Sequence, residues 1–329
     1  MSKAQVIHKL GPPTVMRWED WPVPGPGAGE VQLRHTAIGL NFADTYHRAG
    51  ISHPWPVPPC PMVIGFEEVG IVESVGPGVT EFRNGDRAAY CIPPLGSYSE
   101  IRNYPADQLL HLPDGIGDRE VAALLLKGIT AQYLLHRTYA VQPGDTILVH
   151  AAAGGMGLIL CQWAKALGAT IVGTVSTGEK AEVARADGCD HPVVRSQQRF
   201  VDVVREVTDG EGCAVVYEAI GKDTLQQSLD SLRPMGVCAA YGHVSGPPDP
   251  VDIIQDLGRR GSLFITRPAI MHYVAKRADL ERAARELFKA IADGVLDANV
   301  NYEYPLKDAV KAHEAIESGT TRGATVLIP

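Results

Sequence analysis

Ala151-Ala152-Ala153-Gly154-Gly155-Met156-Gly157 follows an apolar run, TILVHA (146–151), and opens a helix-like stretch from Gly155 to Leu167. Residues without a Cβ let the backbone turn tightly and approach a phosphate closely. The helix that follows offers unpaired N–H groups and its positive dipole end. A glycine cluster alone would equally suit a packing turn. Its place between a strand and a helix, with further strand–helix pairs after it, selects a dinucleotide pyrophosphate site at Gly154, Gly155, Met156 and Gly157. Which dinucleotide is bound is decided roughly 20 residues on, where an NAD site places Asp or Glu against the ribose 2′-OH. Here the next strand, TIVGTV (170–175), runs into Ser176-Thr177-Gly178-Glu179-Lys180. Hydroxyls and a lysine suit a 2′-phosphate, so Ser176 and Lys180 point to NADPH. Ser176 and Glu179 also have capping-box spacing; in that reading Ser176 caps and Lys180 remains for the phosphate.

Other chemistries lack their residues. Cys60, Cys91, Cys161, Cys189, Cys213 and Cys238 form no C-x-x-C and no close pair. Reduced, mostly buried thiols in a cytoplasmic protein are expected. In Gly65-Phe66-Glu67-Glu68-Val69-Gly70 a phenylalanine stands where a ligand histidine could, and the histidines show no H-E-x-x-H. No metal is therefore expected. His47 and His53 are read as solvated residues of a proline-rich loop. There is no G-x-S-x-G, and no tyrosine is followed by a lysine four positions later. Tyr104, beside Pro105, reads as a turn residue.

These residues need elements to position them. Ten of the 24 prolines fall in residues 1–61, and none falls between Pro143 and Pro192. Up to about 124, short apolar runs broken by Gly and Pro predict an irregular β-rich domain. From about 125 strands alternate with helices, with strands expected near Val193–Val194, Ala214–Ala219, Val237–Tyr241 and Leu263–Thr266. Helices are expected near 198–207, 223–232 and 251–258. That rhythm calls for a parallel sheet covered on both faces. Helices at 278–293 and 307–318 and a terminal strand TVLI follow. The N-terminus lacks the apolar core of a signal peptide, and the uncharged stretch between Asp145 and Lys165 reads as strand, turn and buried helix. With 329 residues and a formal charge of −8, the chain is long enough for a sizeable core. Its acidic balance argues against nucleic acid and anionic membrane as main partners. It does not weigh against NADPH, whose binding is local.

Several segments together are specific. They are Asn41-Phe42-Ala43-Asp44-Thr45-Tyr46-His47-Arg48-Ala49-Gly50, Gly65–Gly70, Lys127-Gly128-Ile129-Thr130-Ala131-Gln132-Tyr133-Leu134-Leu135, the glycine loop, Thr266-Arg267-Pro268 and Tyr304-Pro305-Leu306. With them the chain resembles, nearly end to end, the zinc-free quinone oxidoreductase (zeta-crystallin-like) branch of the medium-chain dehydrogenase/reductases. The resemblance implies an α/β fold: a Rossmann doubly wound parallel sheet (125–265) inserted into a GroES-like, β-rich catalytic domain (1–124 and 266–329). It implies an active site in the cleft, NADPH, a homodimer through the Rossmann sheets and no metal. By similarity, Asn41 and Tyr46 line the nicotinamide and substrate side, and Lys127 and Thr130 lie near the cofactor. Ser176 and Lys180 approach the 2′-phosphate, Gly242 lies along the cofactor and Arg267 reaches it. Two positions depart from the pattern: Arg195 stands where close relatives tend to have tyrosine, and His243 where asparagine is common. An arginine still binds phosphate.

The activity implied is hydride transfer from NADPH to a quinone, with protons from solvent, by way of the Tyr46 hydroxyl where it takes part. The alternatives are an enone or enal reductase and a non-catalytic NADPH-binding protein, structural or RNA-binding. The proline-rich loop at 52–61 is a candidate border of the substrate cleft.

Overall fold

Residues 2–51, 57–298 and 300–329 are described by the computed structural model; 52–56, with His53 and most of the proline-rich loop, lie outside the described residues. The chain divides into two compact units. One holds 1–127, 274–288 and 298–329; the other holds 128–273 and 289–297.

The first unit begins with β1 (Ser2–Ile7) and β2 (Met16–Trp21), antiparallel with Ser2 opposite Trp21. Next come β3 (Glu30–Leu40), α1 (Phe42–Ala49), β4 (Met62–Val63), β5 (Glu68–Val75), β6 (Arg87–Tyr90), β7 (Ile101–Pro105), β8 (Leu110–His111) and α2 (Asp118–Tyr133), whose residues from Gly128 on belong to the second unit. Val31, Leu33, Val72, Tyr90, Tyr104 and Leu109 pack as one core; Ala4, Val6, Ile38, Leu40, Ile64 and Tyr98 belong to a second. Tyr104 is thus not a turn residue. It lies on β7, stacks on Tyr90 with ring centroids 3.8 Å apart and donates its hydroxyl to Ile92 O at 2.7 Å. His47 is corrected too: it lies on α1, fully buried, edge-on to Phe66. The helix pattern there was masked by the prolines that follow it.

The second unit continues with β9 (Thr146–Val149), α3 (Gly155–Ala166), β10 (Thr170–Val175), α4 (Gly178–Ala186), β11 (His191–Val194), α5 (Phe200–Val207), β12 (Cys213–Glu218), α6 (Leu225–Asp230), β13 (Leu232–Ala240) and β14 (Phe264–Thr266). The strands form a six-stranded sheet in the order β11-β10-β9-β12-β13-β14, every pair parallel. This is the doubly wound order, with its reversal between β9 and β12. Apolar runs make the central strands: Ile147, Leu148, Val149, Val215 and Val216 are fully buried, as both-sided cover requires. The helix expected at 251–258 is a π-helical turn, Ile253–Gly258, capped by Asp252.

The chain then returns to the first unit through α7 (Ile270–Tyr273), α8 (Arg277–Ala292), β15 (Val300–Pro305), α9 (Ala309–Glu317) and β16 (Ala324–Ile328). β16 pairs with β3, so the last strand completes the seven-stranded sheet of β3, β5, β6, β7, β8 and β15, while β1, β2 and β4 form a separate three-stranded sheet. Among the described residues, no helix is long and apolar enough to cross a membrane.

Candidate active site

In the second unit the candidates gather by topology. Gly154–Gly157 follow β9, Ser176 follows β10, Arg195 follows β11, Gly242 follows β13 and Arg267 follows β14. All lie beyond the carboxyl ends of parallel strands, where open α/β sheets bind ligands. Parallel register sets Val175 beside Val194, and Arg195 N donates to Val175 O at 3.1 Å. Ser176 and Arg195 therefore leave neighbouring strand ends, with Lys180 in the first turn of α4. The cap of α4 is Thr177, whose hydroxyl accepts from Lys180 N at 3.3 Å. The Ser176 capping-box reading is thus corrected, and exposed Ser176 stands outside the cap.

The glycine loop is sterically defined at its last position. A Cβ on Gly157 would lie 2.2 Å from Ala151 O and 2.7 Å from Ala152 Cα, whereas one on Gly154 would meet only Ala151 O, at 3.2 Å. The N-terminus of α3 carries no side-chain cap. Gly242 is held likewise: its Cβ would stand 2.6 Å from Ala219 O. Arg267 donates to Tyr241 O at 2.5 Å, and its other terminal nitrogen lies 3.5 Å from His243 Nδ1. Burial, then the Arg267 charge, hold the His243 imidazole below its usual pKa. Thr130, half-buried on α2, hydrogen-bonds Tyr133.

Sequence reasoning missed what supports these loops. His150 Nδ1 lies 2.9 Å from Thr174 Oγ1, and Nε2 lies 2.8 Å from Ser228 Oγ. Glu218 Oε1 accepts from Ile220 N, Gly221 N and Thr224 Oγ1, fixing the turn after β12. Burial opposes the Glu218 carboxylate, but His150, Ser228 and those N–H groups outweigh it and hold its pKa below the ordinary value.

In the first unit Asn41 caps α1 through a reciprocal capping box with Asp44. Its Nδ2 donates to Glu67 Oε2 at 2.5 Å. Glu67 Oε1 accepts from Leu126 N at 2.6 Å, and Lys127 Nζ lies 3.7 Å from Oε2. Asn41 and Lys127, far apart in the chain, thus meet at one oxygen. Burial pushes the Glu67 carboxyl up, with the Lys127 charge and the Asn41 and Leu126 hydrogen bonds acting the other way. Lys127 Nζ is buried and makes no hydrogen bond among the described residues. Tyr46, almost fully buried on α1, packs edge-on to Phe42 at 5.4 Å. Glu67 is a second missed residue; the signal was a pair of adjacent acids at the start of β5 among apolar residues, which burial obliges to find partners. Asp44 accepts from the Tyr98 hydroxyl at 3.1 Å, and Tyr98 in turn lies 3.0 Å from His313 Nε2. Among the described residues, no group of three or more His, Cys, Asp or Glu side chains is placed to hold a metal ion.

Residues 27–114 match the family model of the alcohol dehydrogenase GroES-like domain, and 155–287 that of the zinc-binding dehydrogenase. The chain is 55% identical to a 2-haloacrylate reductase of a Burkholderia species, covering 100% of this chain and 99% of the relative. It is 44% identical to a quinone oxidoreductase of Pseudomonas aeruginosa, covering 100% of both. The solved structure of Escherichia coli quinone oxidoreductase complexed with NADPH matches with a TM-score of 0.95 at 42% identity, over 99% of this chain and 100% of that one.

Proposed function

The chain belongs to the quinone oxidoreductase branch of the medium-chain dehydrogenase/reductase superfamily, and from that premise we propose that it is an NADPH-dependent reductase of conjugated carbonyl acceptors, quinones first. The observation that carries the reading is the cluster of candidates beyond the strand ends, with hydroxyls and cations but no acid at the end of β10.

The residues fit NADPH. Gly157 leaves no room for a Cβ at the turn, and the uncapped N-terminus of α3 suits a pyrophosphate. Ser176, Lys180 and Arg195 suit the 2′-phosphate, and Thr130, Gly242 and Arg267 the rest of the cofactor. Bound NADPH supplies a hydride from C4 of its nicotinamide. The chain's own work is to orient, to exclude water and to manage the proton. Asn41 and Tyr46 border the acceptor, and Lys127 lies near the cofactor. A quinone is already a good acceptor, so protons from solvent, passed on by the Tyr46 hydroxyl, suffice.

A second reading, reduction of an activated alkene, is favoured by the 55% identity to a 2-haloacrylate reductase. The test is a steady-state panel of 1,4-benzoquinone, an alkenal and 2-chloroacrylate, each with NADPH and NADH. The proposal expects the highest kcat/KM for benzoquinone with NADPH. Faster turnover of the alkenal or alkenoate transfers the assignment to the second reading. NADPH binding without turnover of any acceptor identifies a non-catalytic member.

We also infer a homodimer. β14 ends the six-stranded sheet, and Phe264 on it, with Ile253 and Ile254 on the π-helical turn, exposes large apolar surface. An uncovered apolar sheet edge favours pairing with a second copy.

A further inference from the structure

Glu218 ends β12 and is fully buried. Beyond it the chain turns back over its side chain: Oε1 accepts from Ile220 N at 2.7 Å, Gly221 N at 3.0 Å and Thr224 Oγ1 at 2.9 Å. Oε2 accepts from Ser228 Oγ at 2.5 Å and lies 3.3 Å from His150 Nε2. The register of β12 with β13 ends at Glu218 opposite Ala240, yet the two chains stay paired beyond it. Gly242 N donates to Glu218 O, Val244 N to Ala219 O, Ser245 N to Ile220 O and Lys222 N to Gly246 O, at 2.8–3.2 Å. Ser245 Oγ adds a second tie, donating to Ile220 O at 2.8 Å and accepting from Asp223 N at 3.1 Å. Glycine permits the approach, since a Cβ on Gly221 would lie 2.5 Å from Gly246 O. The loops after β12 and β13 are therefore one paired body, and Glu218 anchors it to the sheet. All of it lies in the second unit.

The strand order assigns this body to one half of the cofactor. Ser176, Lys180 and Arg195 follow β10 and β11, on one side of the glycine loop after β9. A dinucleotide with its 2′-phosphate there extends its other half over the ends of β12, β13 and β14. We propose that Glu218 is a positioning residue: it shapes the seat of the nicotinamide half of NADPH and leaves that of the adenosine half unaffected. The proposal rests on the reading that Ser176, Lys180 and Arg195 hold the 2′-phosphate. Without the Glu218 carboxylate, His150 keeps Thr174 and Ser228 as partners. The Ile220 and Gly221 N–H groups instead lose their acceptor, and a buried donor without one draws its backbone towards water. Gly242, paired to the same turn, moves with it.

Calorimetric titration with NADPH and with 2′,5′-ADP, which carries the adenosine half alone, reads the two seats separately and without turnover. In Glu218→Met, NADPH affinity is expected to fall about tenfold or more while 2′,5′-ADP stays within about twofold of the parent. Glu218→Gln keeps one acceptor oxygen for Ile220, Gly221 and Thr224 and should hold NADPH within about threefold of the parent. Ser245→Ala loosens the pairing with Glu218 intact and should weaken NADPH, and not 2′,5′-ADP, by about threefold or more. An equal loss of both ligands in Glu218→Met, no loss of either, or the same NADPH loss in Glu218→Gln as in Glu218→Met overturns the proposal. Should Glu218→Met fail to fold, judged by its melting curve, Ser245→Ala decides by the same comparison. Failure of the 2′-phosphate reading has a different signature, unchanged 2′,5′-ADP binding in Lys180→Glu and Arg195→Glu.

Discussion

Replacing Gly157 by alanine tests the phosphate loop directly. Helix propensity alone favours the change by about 1 kcal/mol, since Gly157 lies in the first turn of α3. The added Cβ, however, would stand 2.2 Å from Ala151 O and 2.7 Å from Ala152 Cα, both backbone. An unstrained contact needs roughly 3.5 Å, so the helix start and the 151–152 backbone must separate by about an ångström. Overpacking of that kind costs about 1–3 kcal/mol, which outweighs the propensity gain. The same displacement moves the N–H groups of the turn off the pyrophosphate, and NADPH affinity is expected to fall about tenfold or more. Gly154→Ala is the control: its φ of −83° suits alanine, and its Cβ meets one oxygen at 3.2 Å. That variant should bind NADPH within about threefold of the parent. Titration of NADPH fluorescence, with a melting curve for each variant, reads both effects. Parental affinity in Gly157→Ala, or an equal loss in Gly154→Ala, would refute the steric argument.

Lys180→Glu and Arg195→Glu should each reduce the kcat/KM preference for NADPH over NADH about tenfold or more, as loss of a charge-assisted phosphate contact implies; persistence of the preference in both variants removes them from the 2′-phosphate. Tyr46→Phe is expected to lower kcat on benzoquinone, and unchanged turnover would take the hydroxyl out of the proton path. Burial pushes the Asp44 carboxyl from 3.8 up to about 7, against the hydrogen bonds from Asn41 N–H and Tyr98 OH. Its folded pKa lies above the unfolded one, so its contribution to stability is full below about pH 4 and is lost as pH rises through 7. Urea denaturation should therefore show the parent losing stability relative to Asp44→Asn between pH 5 and pH 8; parallel profiles would contradict this. Phe264→Asp places a charge on the open edge of β14; the inferred pairing expects a dimeric parent and a monomeric variant by light scattering, and equal masses for the two contradict it.

Much of the cofactor half was legible because its signals are local. A tight turn, a helix start and a missing acid after a strand each lie within a few consecutive residues, and backbone geometry dictates them without reference to the rest of the chain. Gly154, Gly155 and Gly157, the alternation of β9 to β14 with their helices, and the helix stops at Gly168 and Gly188 belong here. The cap of α4 shows the limit of local reading: Ser176 and Thr177 both suit an N-cap, and the backbone path out of β10 settles it on Thr177. Arg195 comes beside Ser176 only through the parallel register of β10 and β11. The proline-rich composition that suggested a solvated loop for His47 carried no information about Phe66, against which the helix buries it. Glu67 was the residue least open to sequence reading. Its partners are Asn41, the cap before α1, and Leu126 and Lys127 on α2, and a buried carboxylate acquires its function from whichever donors tertiary folding brings to it. Sequence alone determined the elements of the cofactor half and the kind of ligand, since both follow from short-range backbone sterics. Which charges meet, and which are thereby neutralised, depends on contacts between distant residues, and only the tertiary structure decided that.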